Sequence, residues 1–324
     1  RLDMFGDSME RLKDIIPKIQ DTKFRGILIS ITNPADVVGE CLRKALGIER
    51  FRCFSTGTSL DSLRIKRILE EKTGYHRNSI EVFCMGEHGD SQIVPLSRVS
   101  VGGKPFAKLQ KEYPDTLGKI TIEDLQDEVR QAGMTVIIGK KSTEFGIGIA
   151  LSEIVKSIVY DEKRIWPLSV HLDGEYGQKD VAAGVPAVIG ADGIEEIVEM
   201  DLTEEEKSQF AHSCDVIRGY LKKAKEMLSS ETRYSLLAVK AREPCADSVK
   251  FRIISIRCCS SGDMDSFRPS MIMEISSFVK ERPCSERRLE AAIRSGRINS
   301  RGFPWQLEIT NFMISSFFGS REDK

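Results

Sequence analysis

An apolar run from Phe24 to Ile31, a break at Thr32-Asn33-Pro34, a helical repeat and a second short apolar run constrain this 324-residue chain more than any other feature. The first run reads as a buried strand, since it is short, apolar and β-branched, and it ends at a turn signal. Pro34 suits the first turn of a helix, and Val37, Val38, Cys41, Leu42 and Ala45 keep helical spacing up to Gly47. Phe51 to Phe54 reads as the second strand. Strand, helix, strand in that order is a βαβ unit, which predicts a parallel sheet with right-handed crossovers. Functional side chains then belong at the carboxyl ends of the strands.

The rest of the chain to Met227 keeps this alternation. The pattern predicts helices over residues 59–72, 121–139 and 142–160, a strand over 80–85 and a hairpin near Gly102-Gly103. Further strands are predicted over 165–172 and 185–189, around the turn Asp173-Gly174-Glu175-Tyr176-Gly177. A charged helix follows from Thr203, where Thr203 and Glu206 form a T-x-x-E capping box. Ahead of the first strand, Met9, Leu12, Ile15, Ile16 and Ile19 repeat as one helix face. Beyond Ser229 the periodicity fades, apart from one possible helix over 285–295. That stretch reads as a poorly ordered extension, or as the product of a frame error or an unspliced segment, rather than as an added domain.

Lys plus Arg number 48 and Asp plus Glu 49, so no net field points to nucleic acid or an anionic membrane surface. No apolar run reaches the length of a membrane span and no basic, apolar leader opens the sequence, so the expected location is cytoplasmic. The eight cysteines show no C-x-x-C pair and no zinc-like spacing, so no metal is expected. Cys41, Cys53, Cys84 and Cys214 fall in apolar or helical contexts and read as buried, reduced thiols. The adjacency of Cys258 and Cys259 argues against an ordinary disulfide between them.

Three polar clusters end apolar segments on what the βαβ order makes one edge. They are Asn33, the segment Gly57-Thr58-Ser59-Leu60-Asp61-Ser62-Leu63-Arg64, and Gly86-Glu87-His88-Gly89-Asp90-Ser91. His88 is one of four histidines in the chain and is placed for proton transfer. Asp61 is a carboxylate that can hold a histidine ring, and Arg64, one helical turn on, carries a fork that suits a carboxylate ligand. Each residue also has a plain structural use: Asp61 as a helix cap, Arg64 as a solvated helix arginine, His88 as a satisfied core group and Asn33 as a cap on the helix at Pro34.

From Arg1 to about Met227 the chain resembles the lactate and malate dehydrogenases, and within them the L-lactate branch. The motifs that carry the resemblance are Arg1-Leu2-Asp3, Thr32-Asn33-Pro34-Ala35-Asp36, Leu60-Asp61-Ser62-Leu63-Arg64, Gly86-Glu87-His88-Gly89-Asp90-Ser91 and Gly174-Glu175-Tyr176-Gly177-Gln178-Lys179-Asp180-Val181. It implies an α/β chain, with residues 1–54 the end of a Rossmann dinucleotide-binding domain, 55–228 an α+β catalytic domain and 229–324 a non-family tail. It implies NAD as cofactor and the interconversion of L-lactate and pyruvate, with malate dehydrogenase or a catalytically inactive fragment as the alternatives. By the resemblance, His88, Asp61 and Arg1 are catalytic, Arg64, Asn33 and Thr143 bind the substrate, and Ile31, Asn33 and Ile147 meet the cofactor. Ile31 and Ile147 can equally be core residues, and Thr143 an ordinary residue early in its helix. The only expected ligands are small molecules, and the full-length parent is expected to form a homodimer or homotetramer. No G-x-G-x-x-G turn lies between Arg1 and the first strand, so about a hundred residues of the dinucleotide fold are expected ahead of Arg1.

Overall fold

The computed structural model describes residues 5–22, 24–140, 143–229, 252–254 and 272–274. Its first helix, α1 (Phe5–Asp21), buries Met9, Leu12, Ile16 and Ile19, the apolar face that the sequence repeats. Next come β1 (Leu28–Ser30), α2 (Ala35–Leu46) and β2 (Cys53–Ser55). β1 and β2 pair in parallel, Ile29 against Phe54, so the predicted βαβ unit is present. Helix α2 stops where Gly47 adopts φ 63° and returns its N–H to the carbonyls of Arg43 and Lys44. Helix α3 (Ser59–Thr73) stops the same way at Gly74, φ 72°.

A small antiparallel sheet of β3 (Ile80–Glu81), β4 (Ser100–Val101) and β5 (Lys104–Pro105) follows, with β4 and β5 forming the hairpin at Gly102-Gly103. Then come α4 (Phe106–Glu112), α5 (Ile122–Lys140) and α6 (Phe145–Val159). The long hairpin of β6 (Arg164–Asp173) and β7 (Lys179–Gly190) leads through β8 (Gly193–Ile197) to α7 (Glu204–Ser229). Two further short strands, β9 (Arg252–Ile254) and β10 (Ile272–Glu274), pair antiparallel. The helix expected over 285–295 and the Cys258-Cys259 pair lie outside the described residues. Among the described residues, no helix is long and apolar enough to cross a membrane and no cluster of His, Cys, Asp and Glu could hold a metal ion.

The main sheet runs β1-β2-β6-β7-β8, and only its first pair is parallel. The expected parallel sheet is thereby corrected. A turn of a few residues joins β6 to β7, and so short a connection permits only antiparallel pairing. β2 takes β1 on one side and β6 on the other, through Ser55 opposite Ser169. The sheet therefore runs without a break through the expected boundary between residues 54 and 55. One core gathers α1, α2, α6 and α7 around this sheet, and a second lies under α3, α4, α5 and the small sheet.

A second correction concerns residues 80–85, which the sequence reads as one strand. Only Ile80 and Glu81 pair in the small sheet; Met85 and Gly86 instead make single bridges to Ile93 and Gly184. The segment changes partner, Met85 exchanging N–H···O bonds of 2.9 Å with Ile93 instead of extending the small sheet, and beyond it the chain turns at Gly86. That glycine sits at φ 83°, and a Cβ there would fall 2.4 Å from Ser213 Oγ, so only glycine fits at this turn.

The capping box of α7 forms as predicted: Glu206 N–H donates to Thr203 Oγ1 at 3.2 Å, and Thr203 N–H to Glu206 Oε2 at 2.9 Å. Glu206 also accepts from the backbone and hydroxyl of Ser97 at 3.1 and 2.6 Å, so one cap fastens α7 to the segment ahead of β4. Cys41, Cys53, Cys84 and Cys214 are free and buried, as expected, and burial pushes the thiols of Cys41, Cys53 and Cys214 up to about 12.

Helix α2 is bound to β6 by a buried acid. Glu40 accepts from Arg43 Nε and Nη2 at 2.9 Å each and pairs with Lys44 and with His171 Nδ1, both at 3.0 Å. Burial alone would raise its carboxyl, yet the bonds from Arg43 and His171 outweigh that and hold it at about 2. The stability this lends the fold is fully present above the ordinary value of 4.5 and fades as pH falls towards 2.

Candidate active site

The three polar clusters are joined through two buried carboxylates. Asp61, in the first turn of α3, is fully buried. Its Oδ2 lies 2.5 Å from His88 Nδ1, and its Oδ1 accepts from Arg64 Nη1 at 3.0 Å. The residue at the N-cap of α3 is Thr58, so the helix is not capped by Asp61. The hydroxyl of Thr58 instead donates to Cys84 O at 2.6 Å, and Ser62 Oγ accepts from Cys84 N–H at 2.8 Å. Those two bonds hold α3 against the strand-like segment that leads to His88.

His88 itself reaches the site through the turn at Gly86. The Gly86–Gly184 bridge, with N–H···O distances of 2.9 and 2.8 Å, seats this segment on β7. Glu87 steadies the turn beyond: its Oε2 accepts from the backbone and hydroxyl of Ser91 at 3.1 and 2.5 Å, while Ser213 Oγ on α7 accepts from Glu87 N–H at 2.8 Å. The His88 ring is 9% exposed, enough to meet a ligand on one side while Asp61 holds the other.

Asn33 is half-buried beyond the end of β1, and its carbonyl accepts from Ser8 Oγ on α1 at 2.6 Å. The cap of α2 is Pro34, joined to Asn33 by a cis peptide bond, and no side chain caps that helix end. The helix therefore begins one residue later than the sequence suggests, and Asn33 is not its cap. Asp36, in the first turn of α2, links this end of the site to His88 by accepting the histidine's backbone N–H at 2.8 Å.

Burial pushes the Asp36 carboxyl up to about 6 from 3.8, against the lowering effect of Ser169 and of the His88 N–H. A carboxyl raised in this way favours the folded chain while it is protonated. That benefit is fully present below 3.8 and is lost as pH rises through about 6. Sequence reasoning assigned Asp36 no role. The signal lies in Asp36 and Glu40, two acids one turn apart on one side of α2, among buried apolar neighbours.

Three further candidates fall within the described residues. Thr143 is half-buried just ahead of α6 and Ile147 half-buried in its first turn. Helix α6 comes close to the start of α3 at Gly146, where a Cβ would fall 2.9 Å from Leu60 Cδ1, beside Asp61. Ile31 is partly buried and packs on the main core. Gly133 on α5 lets the Arg64 guanidinium pass, since a Cβ there would lie 3.2 Å from Nη1. Arg1 lies outside the described residues.

Comparison with known proteins decides the family. A profile described as the lactate/malate dehydrogenase alpha/beta C-terminal domain matches residues 58–228. The L-lactate dehydrogenase of Fusobacterium nucleatum is 39% identical over 225 residues, which cover 69% of this chain and 71% of that protein. The chain belongs to the lactate/malate dehydrogenase family. L-lactate dehydrogenase 3 of Bacillus cereus is 41% identical to this dehydrogenase over 222 residues, covering 68% of the chain and 70% of the relative.

Solved structures agree. A lactate dehydrogenase from a Medee basin deep-sea metagenome library aligns with a TM-score of 0.62 at 35% identity, over 67% of this dehydrogenase and 69% of the other. The malate dehydrogenase of Aeropyrum pernix aligns with a TM-score of 0.61 at 31% identity, over 68% and 72%. The dehydrogenase is thus an oxidoreductase of mixed α/β fold.

Proposed function

We propose that the protein interconverts L-lactate and pyruvate with NAD, and that His88 and Asp61 form its proton relay. The observation that carries this reading is the 2.5 Å contact between His88 Nδ1 and a buried carboxylate whose other oxygen holds Arg64. With Nδ1 committed to Asp61, Nε2 is the ring nitrogen that gives a proton to the keto oxygen of pyruvate, or takes one from the hydroxyl of lactate. The Asp61 carboxylate fixes the tautomer and orientation of the ring. Arg64 grips the substrate carboxylate with its planar fork, the geometry a lysine lacks. Asn33 donates an amide hydrogen bond towards the reacting oxygen, Arg1 polarises the carbonyl, and Thr143 lines the pocket around the substrate's methyl group.

NAD supplies the hydride when it is bound. The residues present fit the nicotinamide end of that cofactor: Ile31 and Ile147 are half-buried apolar side chains. An aromatic ring laid on such a surface removes apolar area from water, and Asn33 offers the amide that a carboxamide requires. In this reading the protein is cytoplasmic, takes only small-molecule ligands and works as a homodimer or homotetramer.

Malate dehydrogenase is the second reading, favoured by the likeness to the Aeropyrum pernix enzyme. NADH oxidation measured separately with pyruvate and with oxaloacetate distinguishes them. The proposal expects a higher kcat/KM for pyruvate; a preference for oxaloacetate moves the assignment to malate, and no oxidation with either refutes both.

A further inference from the structure

Asp36 has no part in the relay described above, yet it touches the histidine that carries it. The side chain is 2% exposed, in the first turn of a helix that starts just past Asn33. Oδ2 accepts the His88 N–H at 2.8 Å, whereas Oδ1 has no hydrogen-bond partner, and neither does the buried Ser169 Oγ on β6. A carboxyl kept in the interior with one oxygen unsatisfied destabilises the fold, and an apolar residue would serve the packing of α2 better. What the acid supplies is a charged acceptor for one particular backbone donor, two residues beyond the Gly86–Gly184 bridge.

We propose that Asp36 is a positioning residue for His88, holding the histidine's backbone from the α2 side while Asp61 holds its ring from the α3 side. The inference rests on the reading of His88 as the proton carrier, and the clamp has readouts that do not involve turnover. Two carboxylates on two helices grip two different parts of one residue, so the ring cannot drift with its loop. Helix α2 starts right after Asn33, whose carbonyl is tied to α1 by Ser8. The clamp therefore also sets the spacing between Asn33 and His88, the two groups proposed to meet the same substrate oxygen.

The charged and titratable groups facing Asp36 are the His88 ring and Glu87 on the loop and Cys214 on α7; Ser169 on β6 is polar and uncharged. Burial places Asp36 at about 6, in the range where histidines change charge, and a bond from an N–H to a carboxylate weakens when the carboxylate is protonated. The strength of the clamp thus depends on pH.

The test is the backbone amide proton of residue 88, followed by NMR on the full chain from about pH 4.5 to 8. Its shift is expected to inflect near pH 6. The inflection should persist in His88→Gln, which has no titrating ring, and vanish in Asp36→Asn, which keeps an acceptor oxygen but no titrating proton. A residue 88 amide that does not titrate in His88→Gln overturns the clamp, as does an inflection that survives in Asp36→Asn. Should Asp36→Asn not fold, the parent and His88→Gln titrations still decide. Full pyruvate reduction by His88→Gln would instead refute the relay and leave the clamp intact.

Discussion

Replacing Asp61 with asparagine is expected to lower kcat for pyruvate reduction by roughly 100-fold or more, with a much smaller change in KM. The carboxylate is fully buried and bonded to two cationic or titratable partners, so its charge acts at close range in a weakly screening interior. Asparagine keeps the shape and one acceptor, which can still serve Arg64. Its amide nitrogen then faces His88 Nδ1 as a donor, selects the other ring tautomer and offers nothing to a charged imidazolium. Steady-state kinetics across the pH range, with circular dichroism on the variant, make the check. An Asp61→Asn enzyme of parental kcat would show that the 2.5 Å contact is structural only. The alanine variant is a poorer probe, because it leaves Arg64 and His88 without their buried counter-charge and destabilises the protein by about 3–5 kcal/mol.

The largest structural effect is expected at Gly184. A Cβ there would fall 2.6 Å from Thr58 Oγ1 and 2.9 Å from Gly86 O. Neither neighbour can retreat: Thr58 is buried and bonded to Cys84 O at 2.6 Å, and the Gly86 carbonyl is the bridge acceptor itself. Gly184→Ala should therefore cost about 3 kcal/mol, the upper part of the range for an overpacked interior. The loss comes from separating β7 from the segment that delivers His88, so activity falls along with stability. Urea unfolding of both proteins measures it, and a shift below about 0.5 kcal/mol would mean that the backbone here is not rigid.

Much of this arrangement is legible in the sequence because the deciding signals are local. Helix α2 is announced by Val37, Val38, Cys41 and Leu42 and closed by Gly47; α7 carries its start signal in Thr203 and Glu206. The Asp61–Arg64 pair follows from helical spacing alone. What the sequence withholds is long-range. Nothing near residues 82–85 predicts that they leave the small sheet, because their neighbours are set elsewhere: Met85 bridges to Ile93 and Gly86 to Gly184, 98 residues on. Nothing near β2 predicts that its second neighbour is the antiparallel β6. Asp36 is hidden for the same reason: an acid in the first turn of a helix has a ready local explanation in the helix dipole, and its actual partner is His88, 52 residues away.

The most direct test of the central claim, that His88 carries the proton while the cofactor delivers hydride, uses NADH deuterated at the transferring position of C4. Pyruvate and the labelled cofactor are incubated with the parent and with His88→Gln, and the lactate is analysed by mass spectrometry. The account predicts lactate carrying one deuterium at C2 from the parent and none above background from His88→Gln. Labelled lactate formed by His88→Gln at the parental rate would contradict it, as would unlabelled C2 in the parent's product.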